Sequence, residues 1–64
     1  MFRFEIGAKI IVKKSDGGYY HDVEILAKHP NMIKAKILSD GWFKCGSIYW
    51  LNSDDWIPLG RVTS

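Results

Sequence analysis

This sequence has a single cysteine and no glutamine. Cys45 is the one cysteine among 64 residues, so a disulfide within the chain is excluded. A lone thiol is typical of a reducing compartment and not of a secreted disulfide scaffold. No apolar run approaches the roughly 20 residues that span a bilayer, and the first residues show no signal-peptide pattern. We therefore expect a soluble, cytoplasmic protein with no membrane partner.

Helical periodicity, internal repeats and low-complexity tracts are also missing from the sequence. With 64 residues the chain has room for one domain at most. We predict a single domain over residues 1–64, with a folded part at about 2–59 and a flexible tail at 60–64. A domain this small buries only about 60% of its unfolded surface, so aromatic packing or self-association has to stabilise it. We expect the chain to be a complete small protein.

Alternation of apolar and polar residues, the period of a half-buried strand, dominates the chain. It predicts strands over residues 2–13, 19–28, 32–39, 42–51 (bent at Gly46) and 56–59, with a short helical turn at 52–55. Five short strands with tight turns predict a small closed or nearly closed barrel, since closure removes exposed sheet edges. The predicted core contains Phe4, Ile6, Ile10, Val12, Val23, Ile25, Ile33, Ala35 and Ile37, with two or more of Phe43, Tyr49, Leu51 and Ile57.

A family resemblance rests on the motif Gly7-x-x-x-x-Val12, followed by the segment 15–25 with Tyr19, Tyr20 and a Val-x-Ile pair. Over about residues 6–59 the chain resembles Tudor-like and KOW-like SH3 barrels. The resemblance implies an all-β, five-stranded SH3-like barrel with a short 3₁₀ turn before its last strand. Tudor domains read methylated arginine or lysine in an aromatic cage, to which Tyr19 or Tyr20 would contribute one wall. KOW modules contact RNA or polymerase partners.

A second resemblance is to the type II dihydrofolate reductases, which are also SH3-like barrels. The segments Lys13-Lys14-Ser15 and Ser47-Ile48-Tyr49 are similar to their pattern. Those enzymes need a glutamine just before the Ile-Tyr pair, where this chain has Ser47. An oligomeric enzyme with a site formed across subunits is therefore an alternative, while the sequence favours a protein that is not an enzyme.

Few side chains suit metal or acid–base chemistry. His21, His29 and Cys45 have none of the spacings that create zinc sites, and structural zinc needs four such ligands. The acidic pair Asp54–Asp55 suits a capped turn better than a catalytic cleft, because acids favour helix N-termini. We predict no metal, no cofactor and no catalytic residue.

Lysines alternate with other residues on two of the predicted strands. Lys9 and Lys13 share the outward side of the first, and Lys34 and Lys36 that of the third. Lysine neutralises phosphate, and aromatic side chains stack on unpaired bases. The net charge of +2 permits such contact. The pattern predicts a DNA- or RNA-binding face made of these lysines with Tyr20 and Trp42, to which Tyr49 or Trp50 would add a stacking surface.

Tryptophan is abundant for so short a chain, and it is the residue most often found at binding hot spots. Some of Trp42, Trp50 and Trp56 fall where the strand pattern places outward side chains. They predict an alternative function, a protein-interaction module that inhibits or tethers a larger partner. The same apolar surface would also serve self-association into a homo-oligomer.

Overall fold

The computed structural model describes residues 4–62. It contains five strands, β1 (Lys9–Lys14), β2 (Tyr20–His29), β3 (Met32–Ile37), β4 (Ile48–Asn52) and β5 (Trp56–Arg61). They form one antiparallel sheet in the order β4-β3-β2-β1-β5. The prediction of a small all-β fold with five strands is confirmed. No helix within residues 4–62 has the length and apolar character needed to cross a membrane.

The predicted closure into a barrel is not found, because β4 and β5 are the two edges of the sheet and do not pair. The predicted 3₁₀ turn is also wrong for the described residues. Asp55 N–H donates to the Asn52 carbonyl at 3.1 Å, and Asp54 N–H donates to Asn52 Oδ1 at 2.9 Å. This backbone bond and this side-chain bond form a turn that connects β4 to β5. Beyond the turn, β5 pairs with β1.

The core lies on one face of this sheet, because β1, β2 and β3 alternate buried and exposed side chains along most of their length. Leu51 from one edge and Trp56 from the other belong to the same buried cluster, so the sheet curls around its apolar side. The whole cluster comprises Ile10, Val12, Val23, Ile25, Ile33, Ala35, Ile37, Leu51 and Trp56, with Phe4, Ala8 and Phe43 packed against it. The predicted core is confirmed except for Ile6, which is exposed, and Leu51 and Phe43 supply the two further members that were predicted.

Glycines in the left-handed region shorten two of the predicted strands. Gly7 has a φ of 91° and is the third residue of a turn in which Ala8 N–H donates to the Glu5 carbonyl at 3.0 Å. β1 therefore begins at Lys9, and the predicted start of that strand at Phe2 lies outside the described residues. Gly46 also has a φ of 91°, so the predicted bend becomes the end of a loop over residues 38–47, before β4.

The predicted frayed tail is partly ordered. Gly60 and Arg61 belong to β5, and Val62 N–H donates to the Lys9 carbonyl at 2.9 Å. Residues 63 and 64 lie outside the described range. β5 extends further than residue 59 because β1 pairs with it as far as Ile10, which lies opposite Arg61.

Candidate functional site

The four predicted lysines lie on one face of the sheet, opposite to the core. We call this the outer face and define it by Lys9, Lys13, Lys34 and Lys36. Each of these lysines alternates along its strand with buried residues such as Ile10 and Ile33, so its side chain points away from the core. The sheet therefore brings together the lysines of β1 and β3, which the sequence separates by about 20 residues or more.

Register places one acidic residue between two of these lysines. Glu24 of β2 pairs with Lys9 of β1 on one side and with Lys36 of β3 on the other. Opposite charges at facing positions contribute roughly 0.2–1 kcal/mol to a sheet. Neither lysine comes within 4.0 Å of Glu24 in an ion pair among the described residues. Both ammonium groups therefore remain available to a ligand of the outer face.

Two aromatic side chains stand beside lysines on the same face. Tyr20 of β2 lies directly opposite Lys13, and Trp50 of β4 lies directly opposite Lys34. Tyr20 is 52% exposed and Trp50 is 47% exposed. Tyr20 belongs to the predicted DNA- or RNA-binding set, and Trp50 was predicted for a protein interface and, as an alternative to Tyr49, for base stacking on this face. Its place beside Lys34 follows from the β3–β4 register, which no local sequence signal specifies.

A bulge in β2 keeps Lys28 off this face. The register shifts between Ile25 and Ala27, so that Lys28 pairs with the buried Ile33. Directly opposite residues share a face of the sheet, and the strict alternation that would place Lys28 with the outer lysines is broken. β-Bulges insert one extra residue and reverse the alternation beyond it.

Trp42, predicted for the outer face and for a protein interface, lies elsewhere. It belongs to the 38–47 loop, is 52% exposed, and packs edge-to-face on Tyr19 with the ring centroids 4.9 Å apart. The ammonium group of Lys14 lies 5.5 Å from the centroid of Trp42. Since Lys14 alternates with Ile10 and Val12, this contact places Trp42 at the end of the core side.

The prediction of an exposed Trp56 is wrong, because this side chain is 3% exposed and part of the core. Trp56 pairs with Lys14, whose ammonium group lies 5.7 Å from the centroid of a Trp56 ring. The ring centroids of His21 and Phe43 each lie 5.6 Å from that of Trp56. The curl of the sheet turns Trp56 inward. Trp56 therefore fills the end of the core and offers no surface to a partner.

His21 is a buried structural residue at the same end of the core. It is 1% exposed, and its Nε2 accepts a hydrogen bond from Phe43 N–H at 3.0 Å. An accepting Nε2 leaves the proton on Nδ1, which donates to the Ser39 carbonyl at 3.1 Å. The ring thus ties β2 to both halves of the 38–47 loop. Within residues 4–62 no three His, Cys, Asp or Glu side chains gather as metal ligands.

A shallow depression of about 360 Å³ lies at the end of the sheet, beside the β2–β3 turn. It is lined by His29, Pro30, Asn31, Met32 and Trp50. The His29 and Trp50 rings meet edge-to-face with centroids 4.9 Å apart. The depression adjoins the outer face through Trp50, so a ligand stacked on that ring would also reach it.

Comparison of the chain with protein-family models, with curated proteins and with solved structures finds no match. The geometry of the outer face therefore supplies the argument about function. Sequence reasoning identified its lysines and Tyr20 and offered Trp50 as an alternative to Tyr49, whereas the predicted Trp42 lies in the 38–47 loop and not on this face.

Proposed function

We propose that this protein is a binding module without turnover, which contacts single-stranded DNA or RNA through its outer face. The observation that carries the proposal is the register, which sets one exposed aromatic ring beside one lysine at two places. These are Tyr20 with Lys13, and Trp50 with Lys34. Lysine neutralises the phosphate while the neighbouring ring stacks on a base, as in other proteins that bind single strands.

The spacing of the two pairs suits an extended strand. Tyr20 begins β2, and Lys34 faces the bulge near its other end. Six steps of the ladder separate the Tyr20–Lys13 pair from the Trp50–Lys34 pair. They span about 20 Å at roughly 3.3 Å per residue. Lys9 and Lys36 lie between the two pairs, on either side of Glu24. A nucleic-acid backbone crossing the face would meet positive charge along its path, while Glu24 limits the net charge.

Salt dependence gives the proposal a number. If the four lysines each neutralise one phosphate of a single strand, log K falls with log salt at a slope of about −0.7 per contact, or about −2.8. Raising salt from about 50 to about 200 mM would then weaken binding about 50-fold. With two of the lysines removed, the same change would weaken binding only about 7-fold.

The test is a fluorescence anisotropy titration of labelled single-stranded DNA and RNA at these two salt concentrations. The variant carries Lys34→Ala and Lys36→Ala. Its matched control carries Lys28→Ala and Arg61→Ala, which remove the same charge from positions opposite buried residues. We expect the variant to lose about half of the salt slope and the control to keep it. Absence of binding at the lower salt, or equal losses in both variants, would contradict the proposal.

Trp50 separates stacking from charge. Trp50→Ala should weaken binding by roughly 1–3 kcal/mol, the usual contribution of one stacked base, and should leave the salt slope unchanged. A change in the slope without a change in low-salt affinity would mean that the ring does not stack on a base.

The exposed pair of Trp42 and Tyr19 supports a second candidate, a contact with a larger protein partner that the module inhibits or tethers. Both rings are about half exposed and pack on each other at the end of the core. Such paired aromatics are typical of binding hot spots. In that case binding would tolerate salt and be lost on Trp42→Ala, whereas the outer-face variants would bind as the native protein does.

A further inference from the structure

The two edges of the sheet differ in how they are protected against pairing with another strand. β5 contains Pro58, which has no N–H, together with Arg61 and a bulge in its register with β1. Proline, charge and bulges are the usual means of blocking an edge. β4 is Ile48-Tyr49-Trp50-Leu51-Asn52, without charge, proline or bulge. Its first three side chains are 51%, 44% and 47% exposed.

The alternation of hydrogen-bonded pairs shows which residues of β4 bond to β3 and which direct their backbone groups to the open edge. Ile37 N–H donates to the Ser47 carbonyl at 2.8 Å, and Ser53 N–H donates to the Asn31 carbonyl at 2.8 Å. Bonded and non-bonded pairs alternate along an antiparallel ladder. Tyr49 and Leu51 therefore bond to β3, while Ile48, Trp50 and Asn52 direct their N–H and C=O to the open side. The Asn52 carbonyl already accepts from Asp55 N–H at 3.1 Å, which leaves it one lone pair.

We infer that β4 pairs antiparallel with β4 of a second copy of this chain, about a two-fold axis at Trp50. In this register Trp50 faces the partner's Trp50, and Ile48 faces the partner's Asn52. All three residues then exchange hydrogen bonds with the other copy, the Asn52 carbonyl through its second lone pair. If the two-fold axis lay one residue earlier or later along β4, one of these three residues would have no partner. The edge is thus self-complementary, as a two-fold interface requires.

Charge favours the same arrangement. Lys44 precedes β4 and Asp54 follows it, and both side chains are exposed. Antiparallel pairing places the Lys44 end of each copy beside the Asp54 end of the other, at both ends of the interface. A parallel arrangement would bring like charges together instead. The uncharged strand between them adds no repulsion.

The dimer would enlarge the outer face. A two-fold axis perpendicular to the sheet keeps both outer faces on the same side of one ten-stranded sheet. The β3 strands of the two copies would then lie three strand spacings apart, or about 14 Å. Each carries Lys34 and Lys36, with the two Trp50 rings between them.

The test is sedimentation equilibrium of the protein alone, over a concentration series from about 10 μM to about 1 mM. The native chain should move from its monomer mass of 7.4 kDa toward twice that value. Ile48→Pro removes an N–H that makes no bond within the chain, so it should stay monomeric across the series. Because no nucleic acid is present, the result does not depend on the proposed function.

Trp50→Lys is a second disrupting variant, in which two lysines would face each other across the axis. Leu59→Lys is its matched control, because Leu59 is an exposed apolar residue of the other edge. We expect Trp50→Lys to be monomeric and Leu59→Lys to behave as the native chain. Circular dichroism tests whether each variant folds. If Ile48→Pro does not fold, the comparison of Trp50→Lys with Leu59→Lys tests the inference. A native chain that stays monomeric at about 1 mM, or disrupting variants that dimerise normally, would overturn the inference.

Discussion

Replacing His21 with leucine removes the polar group that holds the 38–47 loop against β2. The native ring is 1% exposed, accepts from Phe43 N–H at 3.0 Å and donates to the Ser39 carbonyl at 3.1 Å. Leucine fills similar space but makes neither bond. The variant therefore isolates the two hydrogen bonds from the packing of the core.

The size of the effect follows from the groups left behind. A buried donor or acceptor that loses its partner costs about 1–3 kcal/mol. Ser39 and Phe43 are only partly buried, so water reaches them in part, and we take about 1–2 kcal/mol for each group. The expected loss is about 2–4 kcal/mol. A domain of this length has a free energy of unfolding of roughly 3–10 kcal/mol, so much of its stability would be lost.

Urea denaturation followed by circular dichroism measures this loss. For a domain this small, a loss of 1 kcal/mol lowers Tm by about 4–8 °C. The Tm of His21→Leu should therefore lie more than about 8 °C below that of the native chain. The control is Tyr20→Leu, a neighbour that is 52% exposed, for which we expect a change within about 0.5 kcal/mol. Equal stability of His21→Leu and the native chain would refute the reasoning, and so would unchanged hydrogen exchange at Phe43 N–H.

Other substitutions test the same end of the core. Gly41→Ala should cost roughly 1 kcal/mol in urea denaturation, because a Cβ there would lie 3.1 Å from His21 Cε1; an unchanged midpoint would argue against that close contact. Trp56→Ala should lose about 3–5 kcal/mol and Trp42→Ala less than about 1 kcal/mol, since only Trp56 is buried, and the opposite order would show that their burial is assigned wrongly. Lys14→Met keeps the packed stem and removes the cation near both rings, so it should cost less than about 1 kcal/mol and alter tryptophan fluorescence; an unaltered spectrum would mean that the ammonium group lies elsewhere.

The sequence by itself determined the strand content and most of the core. Alternation along β1, β2 and β3 identified Ile10, Val23 and Ile33 as buried and Lys9 and Lys36 as outward, because a period of two fixes which side chains share a face. The glycines predicted where strands end or bend. They did not predict that Gly46 lies near the end of a loop of ten residues, 38–47. The strand pattern and the family resemblance both predicted a barrel, and the resemblance added a 3₁₀ turn; the sheet shows neither among its described residues.

Only the tertiary structure decided which of these residues meet. The position of Trp50 beside Lys34 depends on the β3–β4 register, and the burial of Trp56 depends on the curl that brings both edges into one cluster. His21 gains its partners from a loop 18 to 22 residues away. Local sequence specifies the face of a side chain through the backbone period, whereas its neighbours across strands are set by pairings between distant segments. The outer face is therefore a product of the fold, even though its lysines can be read from the chain.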